Sequence, residues 1–165
     1  MNPIVSIIMG STSDLPIMEK AAQLLNDFEI PFEMNALSAH RTPEQVEVFA
    51  KNAEARGIKV IIAAAGMAAH LPGVIAASTP LPVIGVPINS PLDGLDALLA
   101  TLQTPPAVPA APIRTNAALL PSILALPILS PSHPPPPRNL NLPQTALAPT
   151  TRIAERNRRQ VQPPS

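Results

Sequence analysis

Cysteine is absent from the 165 residues. Disulfides, thiolate nucleophiles and cysteine metal sites are thereby excluded, as suits a reducing compartment. The chain also lacks a Gly-x-Gly-x-x-Gly fingerprint, a P-loop ending in Gly-Lys-Ser/Thr and a Gly-x-Ser-x-Gly elbow. Dinucleotide binding, P-loop chemistry and covalent serine catalysis are disfavoured accordingly. His40 and His70 stand thirty positions apart with no i,i+4 partner, which is no zinc signature, so no metal is expected. Met1 to Met9 holds an apolar run but no basic leader, no span-length hydrophobic segment and no cleavage site. A cytoplasmic protein without a membrane partner is expected.

Net charge is missing too, since 11 basic and 11 acidic residues cancel. The balance conceals a division near Gln103. Up to that residue ten acidic groups face five basic ones, and beyond it six Arg face Glu155 alone. All six Gly lie at or before Gly94, 15 of the 24 Pro follow Gln103, and the later part has no Lys, Phe, Asp or Gly. Residues 1–103 are therefore expected to form one compact α/β core, and 104–165 a proline-rich, poorly ordered tail. A segment such as Ser130 to Arg138, with Pro131 and prolines at 134 to 137, can run neither as a helix nor as a central strand. Its φ angles are locked and its N–H donors missing. The tail's Arg are scattered without interleaved aromatics, so no nucleic-acid partner is expected.

Within the first part, strand and helix patterns alternate. Pro3 to Met9 is apolar and β-branched, as in a strand buried on both faces. Ser13 and Asp14 can cap a helix that opens at Pro16 and carries Ile17, Met18, Ala21, Ala22, Leu24 and Leu25 on one face. A second strand fits Phe32 to Leu37. Thr42-Pro43-Glu44 opens a second helix that stops at Gly57. Lys59 to Ala65 reads as a third strand ended by Gly66, followed by a helix interrupted or restarted at Pro72-Gly73. Leu81 to Pro87 reads as a fourth strand, and another helix starts near Leu92. This order, without hairpin turns, predicts a three-layer α/β/α sandwich with a parallel, flavodoxin-like sheet and right-handed crossovers. A fifth strand and terminal helix should follow, but only remnants are legible: Val108 to Ile113 is broken by proline, and Asn116 to Leu120 stops at Pro121.

Three polar clusters follow the first three strands: Gly10 to Asp14, Ser38 to Pro43 and Gly66 to Gly73. Ligands of open parallel sheets bind beyond the carboxyl ends of strands, so these loops can line one pocket. Gly10-Ser11-Thr12-Ser13 can point N–H groups and hydroxyls at an anion near a helix start, though a plain capping turn accounts for it equally. The Asp14 charge repels phosphate and suits ribose hydroxyls or a cap. His40 can exchange a proton near neutrality, and Arg41 supplies a fixed cation. His70, among small apolar neighbours, fits either a buried histidine satisfied by the backbone or an active-site contact.

Ser6-Ile7-Ile8-Met9-Gly10-Ser11-Thr12-Ser13-Asp14-Leu15-Pro16, Ser38-Ala39-His40-Arg41-Thr42-Pro43, Gly66-Met67-Ala68-Ala69-His70-Leu71-Pro72-Gly73 and Thr79 to Pro87 resemble the N5-carboxyaminoimidazole ribonucleotide mutase family of purine biosynthesis. The likeness is read over about residues 1–103. It implies a cofactor-free isomerase that moves a carboxylate from the exocyclic nitrogen to C4 of an imidazole ribonucleotide, a small-molecule substrate. It further implies His40 as general acid and base, and Ser11, Asp14 and Arg41 as substrate-binding residues. Ser13 and Ser38 would serve as hydroxyl partners of the phosphate, and the loop containing Gly66, Ala69, His70 and Leu71 would close over the ring. The assembly implied is a homo-octamer. Arg41-Thr42-Pro43 resembles the mutase branch; a direct carboxylase of aminoimidazole ribonucleotide, with Lys-Gly-Pro there, is the alternative. A non-catalytic remnant is a further alternative, because the family continues past Pro105-Pro106 with a strand and a long helix. The loss of Gly, Asp and Lys beyond Gln103 suggests a reading-frame slip, or else a natural disordered extension.

Overall fold

A computed structural model of the chain describes residues 2–132. Expectations for residues 133–165, including the proline run, most of the tail Arg and a frame slip there, lie outside the described residues.

Eleven elements alternate along these residues. β1 (Val5–Met9) leads through a 3-10 turn (Thr12–Asp14) into α1 (Leu15–Asp27), then β2 (Phe32–Ala36), α2 (Pro43–Ala53), β3 (Val60–Gly66), α3 (Leu71–Ala76), β4 (Val83–Ile88), α4 (Leu95–Leu102), β5 (Ala110–Pro112) and α5 (Leu120–Leu129). The strands form one five-stranded sheet in the order β2-β1-β3-β4-β5, and every pairing is parallel. This is the doubly wound, flavodoxin-like arrangement, whose strand order reverses at β1 and β3.

Alternation along each strand sorts the core into two layers. Val5, Ile7, Ile62, Ala64, Ile84 and Val86 face one side, against Met18, Ala21 and Leu25 of α1 and Ala125, Leu126 and Leu129 of α5. Ile8, Ile61, Ala63 and Val83 face the other, against Val46, Phe49 and Ala50 of α2, Leu71 and Ile75 of α3, and Ala97 of α4. Helices cover both faces, so the central strands are apolar apart from Ser6, which is buried in β1 with its Oγ donating to Glu33 Oε1 at 3.0 Å.

Regular structure continues past residue 103, with β5 and α5 following α4. Pro121 does not stop a helix; it sits in the first turn of α5, where a missing N–H has no partner to lose and the fixed φ suits helix entry. Pro112 is tolerated because β5 is an edge strand. The amide of its neighbour Ile113 donates to Gly85 O at 3.0 Å, so the proline's donorless nitrogen faces away from the ladder. Pro127 lies inside α5 and forgoes one helical hydrogen bond, at a cost of about 3 kcal/mol. Burial of Leu126 and Leu129 opposes that cost, as does the buried Ser122, whose Oγ donates to Ala21 O of α1 at 2.8 Å. Among the described residues, no helix is long and apolar enough to cross a membrane.

Candidate active site

At the carboxyl ends of β1 to β4, a cavity of about 390 Å³ opens between four loops. Its size falls in the range of small-molecule sites, roughly 300–1,000 Å³.

The first loop is wound into the 3-10 turn. Ser11 Oγ accepts from the Ser13 amide at 3.3 Å and from Ser13 Oγ at 2.9 Å, while Ser13 Oγ also lies 3.3 Å from Asp14 Oδ1. Ser11 is thus the cap, and Asp14, at the N-cap position of α1, makes no capping bond. Asp14 is only 5% exposed. Burial pushes its carboxyl above the ordinary value, against the opposing effect of hydrogen bonds from the Ser13 side chain and the Ser11 backbone.

The second loop is closed on itself. Thr42 Oγ1 donates to Ser38 O at 3.1 Å and accepts from the Ser38 amide at 3.0 Å, so it braces the turn instead of capping α2. Ser38 Oγ accepts from the Arg41 amide at 3.2 Å. His40 is left exposed at the rim. The Arg41 guanidinium reaches back to the first loop, where Nη2 donates to Gly10 O at 3.1 Å.

The third loop begins with Met67 in the left-handed region, at φ 57°. His70 follows at the N-cap position of α3, with Pro72 in the first turn. His70 is exposed, which settles its open reading against a buried histidine. Its Nδ1 lies 3.0 Å from His40 Nε2, with the rings edge to face and centroids 5.1 Å apart. A hydrogen bond between two ring nitrogens requires one to carry the proton and the other a lone pair, so the contact couples the two tautomers. The pair also forms a wall of a second, more apolar cavity of about 420 Å³, lined further by Gly73, Val74, Ala77, Gln103 and Thr104.

Ser11, Ser13, Asp14, Ser38, His40, Gly66, His70 and Leu71 all line the first cavity. Two candidates do not. Arg41 is held against Gly10 O beside it. Ala69 is 1% exposed and packed in the core beneath α2 and α3, because the loop turns its neighbours Ala68 and His70 outward while Ala69 points in. The sequence reading also missed a fourth wall, Ile88, Asn89, Ser90 and Pro91. Its signal was available: a polar Asn-Ser pair directly after the fourth strand, in the same position as the other three clusters. Among the described residues, no group of three or more His, Asp or Glu could hold a metal ion.

A model of the AIR carboxylase family matches residues 4–147. The chain is 57% identical over 133 residues to an N5-carboxyaminoimidazole ribonucleotide mutase of Pyrococcus abyssi, covering 80% of this chain and 76% of that protein. It is 56% identical over 125 residues to a phosphoribosylaminoimidazole carboxylase of Saccharomyces cerevisiae, covering 73% of this chain but 22% of that much longer protein. A crystal structure of Treponema denticola PurE superposes with a TM-score of 0.73 at 25% identity, covering 97% of this chain and 99% of that one. These matches run past residue 103, so β5 and α5 lie within the likeness.

Proposed function

This chain belongs to the AIR carboxylase family, and from that premise we propose that it isomerises N5-carboxyaminoimidazole ribonucleotide to 4-carboxy-5-aminoimidazole ribonucleotide, a step of purine biosynthesis, without a cofactor. The observation that carries the reading is the His40–His70 contact at 3.0 Å, set in a cavity with Ser11, Ser13, Asp14 and Ser38 on its other walls.

Protonated His40 donates to the exocyclic nitrogen as its bond to the carboxyl carbon breaks, releasing carbon dioxide and aminoimidazole ribonucleotide within the site. C4 then forms its bond to carbon dioxide. The C4 proton returns to His40, so the imidazole ends as it began and no net proton is consumed. Retention of the gas is a proximity effect, since recapture must outrun escape. His70 orients the His40 ring through their shared hydrogen bond. The Ser11, Ser13 and Ser38 hydroxyls take the phosphate and Asp14 the ribose. Arg41 steadies the first loop through Gly10 and adds positive charge near the anionic end of the ligand.

Assembly is part of the same proposal. Leu92, Leu95, Leu99 and Leu102 are 66%, 56%, 42% and 52% exposed, an apolar row on and before α4 that supports burial against further copies in a homo-octamer. The alternative of a non-catalytic remnant rested on a missing strand and helix, and the presence of β5 and α5 supports the active reading over it. Direct carboxylation of aminoimidazole ribonucleotide stays as a second reading, favoured by the name of the yeast relative.

Purified protein should convert the carboxylated substrate without added bicarbonate. The variant His40→Asn should lose about 100-fold or more in kcat while still binding the nucleotide. Near-normal turnover in that variant removes the proton shuttle. Turnover only of aminoimidazole ribonucleotide with bicarbonate transfers the function to the second reading.

A further inference from the structure

The turn between β5 and α5 contributes no residue to the lining of the first cavity, yet it reaches both ends of the loop that forms the fourth wall. Asn116 stands in the left-handed region at φ 51°, where asparagine is among the few residues other than glycine found regularly. From there its amide donates to Pro87 O at 2.9 Å, and its Oδ1 accepts from the Asn89 amide at 2.7 Å. The two bonds bracket Ile88, the last residue of β4, at the point where the chain leaves the sheet. Ile88 lines the cavity, and Asn89, Ser90 and Pro91 continue the wall.

At the far end of this loop is Gly94, with φ 77° at the N-cap position of α4. A Cβ there would lie 2.4 Å from Thr115 Cγ2 and 3.4 Å from Asn89 Cα, so the β5–α5 turn is seated directly against the loop. Within the loop, the Ser90 amide donates to Asn89 Oδ1 at 3.0 Å and Ser90 Oγ to Asp96 Oδ1 at 2.5 Å. Those bonds hold the loop to itself and to α4. Asn116 supplies the brace from a different element and ties the wall to the sheet edge.

We propose that Asn116 is a positioning residue for the substrate site, acting through the Asn89 amide to hold the fourth wall at its distance from His70 and Asp14. The role requires two properties at once, tolerance of positive φ and a side-chain acceptor. Aspartate has both, whereas glycine has only the first. The kinetic arm of the test rests on the proposed isomerase reading; the exchange arm does not.

Asn116→Gly and Asn116→Asp are compared with the unaltered protein by steady-state isomerisation kinetics, amide hydrogen exchange at Asn89 and thermal unfolding. In Asn116→Gly, KM should rise about fivefold or more with kcat changed less than about twofold, since a binding wall is loosened without touching the proton shuttle. Exchange at the Asn89 amide should accelerate by a similar factor. Asn116→Asp should restore both to within about twofold. A glycine variant that only lowers Tm, with KM and Asn89 exchange unmoved, overturns the proposal, as does an aspartate variant that restores neither. If the unaltered protein fails to isomerise the substrate, the proposed function fails and the Asn89 exchange alone decides the role of Asn116.

Discussion

Gly85 sits in the middle of β4, and a Cβ at that position would lie 2.5 Å from Thr101 Cγ2, with Pro72 Cβ at 3.4 Å. Carbon atoms pack best at about 3.5–4.0 Å, so Gly85→Ala demands that α4 retreat by roughly 1 Å or that Thr101 leave its rotamer. Overpacking of this kind costs about 1–3 kcal/mol. The lower backbone entropy of alanine in the unfolded chain returns about 0.4–1 kcal/mol. The net loss is about 1–2 kcal/mol, or roughly 3–8 °C in Tm for a domain of this size. Thr101→Ser removes the obstructing methyl while keeping the hydroxyl, whose Oγ1 donates to Ala97 O at 2.9 Å. Alone it costs about 1 kcal/mol for a lost buried methyl. In the double variant the methyl and the new Cβ exchange places, so its loss should fall short of the sum of the two single losses by about 1–2 kcal/mol. Urea unfolding of the four proteins measures the cycle. Additivity within about 0.5 kcal/mol refutes the close approach of α4 to β4, and with it the placement of the loop between them.

Asp14→Asn should raise Tm of the ligand-free protein at neutral pH. Because burial raises the folded-state pKa of Asp14, the ionised carboxylate destabilises the fold above that raised value, and the penalty fades as pH falls toward 3.8, its ordinary value. The stability gap between variant and parent should close over the same window, and a gap independent of pH refutes the cause. Met67→Gly relieves a left-handed backbone at φ 57° and should stabilise the chain by about 1 kcal/mol, read as a higher Tm; a lower Tm shows that the 63% exposed side chain contributes packing that outweighs the strain. Arg41→Ala removes the bond to Gly10 O and a cation near the cavity, so nucleotide Kd should rise about tenfold in calorimetric titration. An unchanged Kd removes Arg41 from the site.

Legibility followed the range of the interaction. Ile7, Ile8 and Ile61 to Ala63 announce buried strands through composition alone, because a strand covered on both faces needs no alternation. Pro16 and Pro43 announce helix starts correctly, since φ and a missing donor are local properties. The same property misled at Pro121. A proline that ends one run and a proline that opens another look alike until α5 is seen packed on α1 through Ser122 and Leu126. Ala69 and His70 are adjacent in sequence, yet one enters the core and the other the cavity. Their directions depend on the turn begun by Met67 at positive φ, a conformation that methionine does not advertise.

By itself the sequence determined the alternation of strands and helices through α4, the three loops that carry Ser11, His40 and His70, and the family those loops resemble. Each of these follows from residues within a few positions of one another. Tertiary structure alone decided that His40 meets His70, that Arg41 turns to Gly10, and that Asn116 grips Asn89 across the end of β4. Those contacts join residues 27 to 31 positions apart, and the parallel order β2-β1-β3-β4-β5 brings them together. Strand order is a property of how two apolar faces are buried at once, which no local stretch of chain encodes.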